Sequence, residues 1–209
     1  MYCPNHFRQP DTAAIHELIR ACPLATLITV TADGLNADHI PLMLESPADG
    51  PAVLRGHVAR ANPMWKTLNS DFEALAVFHG PEAYISPNWY PTKQEHGKAV
   101  PTWNYVTAHV RGPLQTFESP EWLREQVSAL TLKQESPFTK PWAVTDAPTE
   151  YIDQMLRAIV GIELTIRSVE GKWKISQNQP EANQRGAAQG LHELGTADAA
   201  AMAALIEQR

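Results

Sequence analysis

The sequence predicts an α+β fold in which short antiparallel strands close into a small barrel, flanked by helices and followed by a helical tail. Three observations lead there. Short β-branched runs recur along the chain, each bounded by Gly, Pro, Asn or Asp. Helical periodicity is confined to a few separate segments. Pro (17) outnumbers Gly (11), which punctuates strands and loops and does not suit a helical bundle. With 209 residues, 44% hydrophobic and 19% charged, the chain is long enough for one sizeable core and is not a disordered polymer. Residues 1–209 read as a single domain whose final segment, 180–209, is a helical tail.

Residues 11–22 form a helix: Asp11 caps it, and Ile15, Leu18, Ile19 and Cys22 fall on one apolar face before Pro23 ends it. Leu24–Thr31 is a strand, Asp33-Gly34 a hairpin turn and Asn36–Glu45 the return strand. Ser46–Pro51 is a polar loop. Ala52–His57 is a third strand, and Pro63–Leu68 a short helix. Glu73–Phe78 and Glu82–Ser86 are distinct strands with His79-Gly80-Pro81 between them. Residues 87–101, with three prolines and Gly97, form a long loop. Thr102–Arg111 and Leu114–Phe117 are strands on either side of Gly112-Pro113. Ser119-Pro120 starts a helix that runs to about Leu132. A Pro-rich loop over 136–148 leads to a helix over Glu150–Ile159. Ile162, Leu164 and Ile166 alternate with polar residues in a half-buried strand. Glu170-Gly171 is its turn and Lys172–Asn178 the next strand. About seven strands result.

Charge and motif content exclude several functions. Formal net charge is −6, and no run of Lys and Arg builds a basic patch, so a nucleic-acid surface is not favoured. No P-loop, G-x-G-x-x-G, G-x-S-x-G or helix-turn-helix signature is present. His39, His57, His79, His96 and His109 lie on separate elements without metal-ligand spacing, and Cys3 and Cys22 do not pair into one. No metal is expected. The first eight residues lack an apolar signal core, and no stretch approaches the ~18 apolar residues of a membrane span. The expected location is the cytoplasm.

Three segments could carry chemistry. In Leu54–Trp65 a strand ends and a helix begins, with Asn62 as cap and Pro63 in the first turn; His57 and Arg60 lie at that end. Free N–H groups and an Arg fork suit a phosphate, although a plain strand–helix junction has the same look. Tyr84, Trp89, Tyr90, Trp103 and Tyr105 surround the 87–101 loop beside Ser and Asn residues. That mixture suits a planar heteroaromatic ligand, and equally a core or dimer-interface cluster. In a strand over Lys172–Asn178, residues Lys174, Ser176 and Asn178 share one face, which fits a ligand cleft or a solvated edge strand.

Taken in order, Met1-Tyr2-x-Pro4-x-x-Phe7, His39-Ile40-Pro41, Gly56-His57-Val58-Ala59-Arg60-Ala61-Asn62-Pro63-x-Trp65, Gly80-Pro81-x-Ala83-Tyr84-Ile85-Ser86-Pro87-x-Trp89-Tyr90, Val100-Pro101-Thr102-Trp103-Asn104-Tyr105 and Lys174-x-Ser176-Gln177-Asn178 resemble the PaiB family, grouped with FMN-binding negative transcriptional regulators. The resemblance runs from residue 1 to about 190. It implies a split β-barrel like that of pyridoxamine-phosphate oxidases, a homodimer, and FMN in clefts at the subunit interface. By the same resemblance His57, Arg60 and Asn62 hold the phosphate. The strand carrying His39, Ile40 and Leu42 runs along the isoalloxazine. Trp103, Asn104 and Tyr105 lie at the ring and interface, and Lys174, Ser176 and Gln177 close the cleft. The function implied is regulation of transcription, with DNA as a partner; the alternative is an FMN-dependent oxidoreductase that takes hydride from NAD(P)H. No catalytic residue is expected, because bound flavin supplies the chemistry.

Overall fold

The computed structural model describes residues 1–46 and 50–208, so Pro47, Ala48 and Asp49 of the expected 46–51 loop lie outside the described residues. The chain divides into two compact units: Met1–Leu18, His79–His109 and Glu170–Arg209 form the first, and Ile19–Phe78 with Val110–Val169 the second.

The second unit is built on a hairpin. Strand β2 (Leu24–Thr31) pairs with β3 (Gly34–Pro41) from Leu24↔Pro41 to Thr31↔Gly34, so the connection is Ala32-Asp33. Gly34 takes a φ of +111°, a conformation other residues reach only with strain. The opening half of β6 (Ala74–Ile85) adds to β2 at Thr26↔Val77, and β3 is the far edge of that sheet. A second sheet has the order β4 (Met43–Glu45), β5 (Val53–Ala59), β9 (Ile159–Thr165) and β8 (Leu114–Phe117). β3 and β4 are not one strand. Pro41 has no N–H to give a ladder, and the Leu42 N–H bonds the Pro23 carbonyl (2.8 Å) instead.

Helices α4 (Pro120–Glu135) and α5 (Thr149–Arg157) bury Leu123, Val144, Ile152 and Leu156 in one apolar cluster. Trp122 lies so close to β9 that a Cβ on Gly161 would meet its ring at 2.2 Å. Arg55 on β5 joins Glu45 (2.8 Å) and Glu163 (2.7 Å), tying three strands of this sheet together while its guanidinium rests over the Trp122 ring. The four-residue helix α2 (Met64–Thr67) follows β5.

In the first unit the order is β1 (Arg8–Gln9), β10 (Ser168–Lys174), β7 (Thr102–Gly112) and then β6. The opening turns of helix α1 (Thr12–Ala21) belong to this unit. So do α3 (Thr92–His96) and the tail helices α6 (Glu181–Leu194) and α7 (Ala197–Glu207). The chain passes from one unit to the other within α1, β6, β7 and β10.

Four further expectations are corrected by the structure. There are ten strands among the described residues, where about seven were expected. Gly80-Pro81 does not break the chain into a pair of strands: β6 runs through both residues, and pairing with β2 ends at Val77. Beyond that point a missing N–H costs no ladder bond on the β2 side. The expected loop over 87–101 holds a turn of 3₁₀ helix at Pro87–Trp89 and the helix α3, closed by Gly97 at φ +69°. Finally, Glu170-Gly171 is not a turn and Lys172–Asn178 is not a strand. Gly171 sits inside β10 because a Cβ there would lie 2.7 Å from the Trp173 ring and 2.8 Å from Ile15. The strand ends at Lys174, and the chain turns through Ser176, whose φ is +63°.

Candidate functional site

In the first unit, the start of β7, the end of β10 and the turn after it enclose a cleft of about 210 Å³. Alternation along β7 sends Asn104 inward and leaves Trp103 and Tyr105 on the other face. Asn104 is 1% exposed; its amide donates to Ser176 Oγ (2.9 Å), while its Oδ1 has no hydrogen-bond partner. The left-handed backbone at Ser176 brings that hydroxyl to the amide. Tyr90 is buried, and its hydroxyl faces Ser176 without forming a well-made bond, so it too is unpartnered. Burial pushes the Tyr90 phenol upward from its usual pKa. Lys174 donates to Thr102 Oγ1 and to the Trp103 carbonyl (2.6 Å). Partial burial and the neighbouring Lys172 charge hold its ammonium below the usual lysine range.

This donor set fits one edge of a flavin. The pyrimidine edge of the isoalloxazine presents acceptor, N–H donor, acceptor; an orphaned amide oxygen, a phenol and an ammonium are its complement. The cavity is smaller than the ~300–1,000 Å³ of pockets that enclose a whole ligand. A cleft of this size has room for an edge of FMN and not for the whole molecule.

The other expected residues of this unit are placed less openly. Gln177 accepts from the Ile175 N–H (2.7 Å) and donates to the Trp173 carbonyl, so both ends of its amide hold the turn together. Trp103 is 48% exposed and meets Tyr84 edge to face at 6.0 Å. Tyr105 lies under the Lys172 ammonium, 5.0 Å from the ring centre.

In the second unit, His57, Arg60 and Asn62 do gather at one end of β5, and all three are committed to their own chain. Arg60 donates to the Arg157 carbonyl (2.7 Å), the Ile159 carbonyl (3.0 Å) and Glu118 (2.6 Å). His57 Nδ1 pairs with Gln126 Oε1 (2.9 Å). Asn62 donates to Asp38 (2.9 Å), and its oxygen accepts from the Met64 N–H (2.9 Å) just ahead of α2, whose N-cap position is Pro63. The carboxylates of Glu118 and Asp38 are among their partners. Ile40 and Leu42 have buried side chains. His39 is exposed beside Thr26, on the edge strand β3.

Tyr90 and Thr102 lie in motifs noted in the sequence, yet only the fold shows that they share a cavity with Lys174. Gln126, 2% exposed with an unpartnered Nε2, has no sequence signal at all. Among the described residues, no three His, Cys, Asp or Glu side chains come together to hold a metal ion, and no helix is long and apolar enough to cross a membrane.

The family described as "Putative FMN-binding domain" matches residues 1–168. An uncharacterized protein of Emericella nidulans is 32% identical over 244 aligned positions that cover 100% of this chain and 97% of its own. The protease synthase and sporulation protein PAI 2 of Bacillus subtilis is 28% identical, covering 100% and 98%. Among solved structures, the FAD and heme binding protein of Mycobacterium smegmatis superposes with a TM-score of 0.54 at 15% identity, over 88% of this chain and 80% of that one.

Proposed function

The chain belongs to this FMN-binding family, with the split-barrel fold class and with FMN as its cofactor, and from that premise we infer that it is a homodimeric regulator of the PAI 2 type whose state is set by flavin occupancy. The carrying observation is the cleft at Asn104. A buried polar atom without a partner costs about 1–3 kcal/mol. Asn104 Oδ1 and Tyr90 Oη are two such atoms beside a lysine. A ligand that satisfies them stabilises this unit, and a ligand can shift a protein between states only by such a difference in affinity.

In this reading Asn104, Tyr90, Thr102, Lys174 and Ser176 hold the polar edge of the ring. FMN, when bound, supplies redox chemistry. The chain's own residues bind and orient it and keep the pyrimidine edge out of water. The phosphate is not assigned to Arg60, which would have to release Glu118 first.

The test is spectroscopic. Purified protein is mixed with FMN, desalted and scanned from ~300 to 550 nm; a retained, red-shifted flavin band with one FMN per chain is expected, together with a dimer mass by light scattering. Free FMN lost on desalting would remove the reading. A second function, NAD(P)H-dependent flavin oxidoreductase, is favoured by the net charge of −6, which disfavours direct contact with DNA. Bleaching of the flavin band by NADPH selects it; a salt-sensitive shift of promoter DNA selects the regulator.

A further inference from the structure

The family match ends at residue 168, yet helix α6, at Glu181–Leu194, lies against one wall of the cleft. We propose that α6 is a positioning element for cofactor binding: Gly186 and Gly190 form a seat for Trp89, and the seat fixes Tyr90 in the cleft. The proposal rests on the assignment of that cleft to FMN.

Gly186 and Gly190 stand one turn apart inside a helix, where glycine is the poorest ordinary helix former. Neither is among the glycines with positive φ, so backbone conformation does not require them. Close approach does. A Cβ on Gly190 would fall 2.3 Å from the indole of Trp89, and one on Gly186 would fall 2.0 Å from the Trp89 carbonyl oxygen. A second tie lies one turn earlier. Asn183, 3% exposed, accepts from the Thr92 N–H (3.4 Å) and shares a hydrogen bond with the Thr92 hydroxyl (3.0 Å). Tyr90 is therefore held between two anchored residues of the same short segment.

The helix also holds a second lining residue of the cleft. Asn183 donates to Gln179 Oε1 (3.2 Å) and Gln184 donates to the Gln179 carbonyl (2.8 Å), and Gln179 lines the cleft with Tyr90. Hydrogen bonds weaken steeply with misalignment, and a binding group must be held to within ~0.5 Å by what supports it. A methyl group under Trp89 moves Tyr90 without touching any group that contacts the ligand.

The experiment is an FMN titration of Gly190→Ala, alone and with Trp89→Leu, alongside Gln189→Ala as a substitution on the exposed face of the same helix. Gly190→Ala is expected to weaken FMN at least tenfold, with native circular dichroism, and to speed amide exchange over residues 87–92 with or without flavin. Trp89→Leu in the same chain removes the clash and restores most of the affinity. Gln189→Ala binds like the unsubstituted protein. Wild-type affinity and exchange in Gly190→Ala would overturn the proposal, as would a double variant no better than the single one. If Gly190→Ala does not fold, the double variant decides: Trp89→Leu makes room for the new methyl group, and failure of that chain to fold or to bind FMN near the unsubstituted affinity overturns the proposal. Failure of the cleft assignment is told apart by Asn104→Ala, which then leaves FMN affinity unchanged while exchange over 87–92 still responds to Gly190→Ala.

Discussion

Single residues divide into those that wait for a ligand and those already spent on the fold. Asn104 is of the first kind, since its oxygen is buried and unmatched. Asn104→Ala should weaken FMN by about 1–3 kcal/mol, roughly 5- to 150-fold, read in a fluorescence-quenching titration. Arg60 is of the second kind. Its bonds to two carbonyls hold the chain around Arg157–Ile159, and its pair with Glu118 is largely exposed. Arg60→Ala should lower stability by ~1–2 kcal/mol in denaturant titration while FMN affinity stays within about twofold. Glu118→Gln frees the guanidinium, and FMN affinity should again be unchanged; a rise would put the phosphate on Arg60 after all. Lys174 adds a pH dependence. Its pKa is depressed by burial and by Lys172, and a flavin that draws on the ammonium raises it again. Binding then takes up a proton, so affinity falls as pH rises through the free protein's Lys174 pKa. Lys174→Met should flatten that profile.

At the scale of elements, packing overrode local pattern at Gly171, which marks a close approach. Gly171 reads as a turn residue in isolation, but it sits in β10 to make room for Ile15 and the Trp173 ring. That is why the expected strand over Lys172–Asn178 was displaced and why its Lys174, Ser176 and Asn178 do not share a strand face. Gly161 marks the same kind of contact where α4 rests on β9. Gly161→Ala drives a Cβ into the Trp122 ring and should cost ~1–3 kcal/mol by thermal or urea unfolding. A midpoint like that of the unsubstituted chain would show that α4 can move aside freely. By contrast, the hairpin β2–β3 and the helix after Ser119 follow from local chemistry and were legible: turn residues and a capping hydroxyl decide them within a few positions.

For the whole molecule, family and cofactor were legible because six motifs recur in register along most of the chain. The partition of the candidate residues was not. The candidates from His39 to Asn62 and those at residues 103–105 and 174–177 stand on different compact units, and sequence order alone does not say which side chains are consumed by their own unit's hydrogen bonds. Asn104, Lys174 and Ser176 share a cavity with Tyr90 and Thr102. In the proposed function this cavity binds FMN by its polar edge. The most direct measurement is a paired FMN titration of the unsubstituted protein and Asn104→Ala, followed at the flavin absorption band. Stoichiometric binding with a shifted band is predicted for the first, and at least fivefold weaker binding with the shift reduced for the second. Equal affinities and identical spectra would contradict the claim and place the flavin elsewhere on the chain.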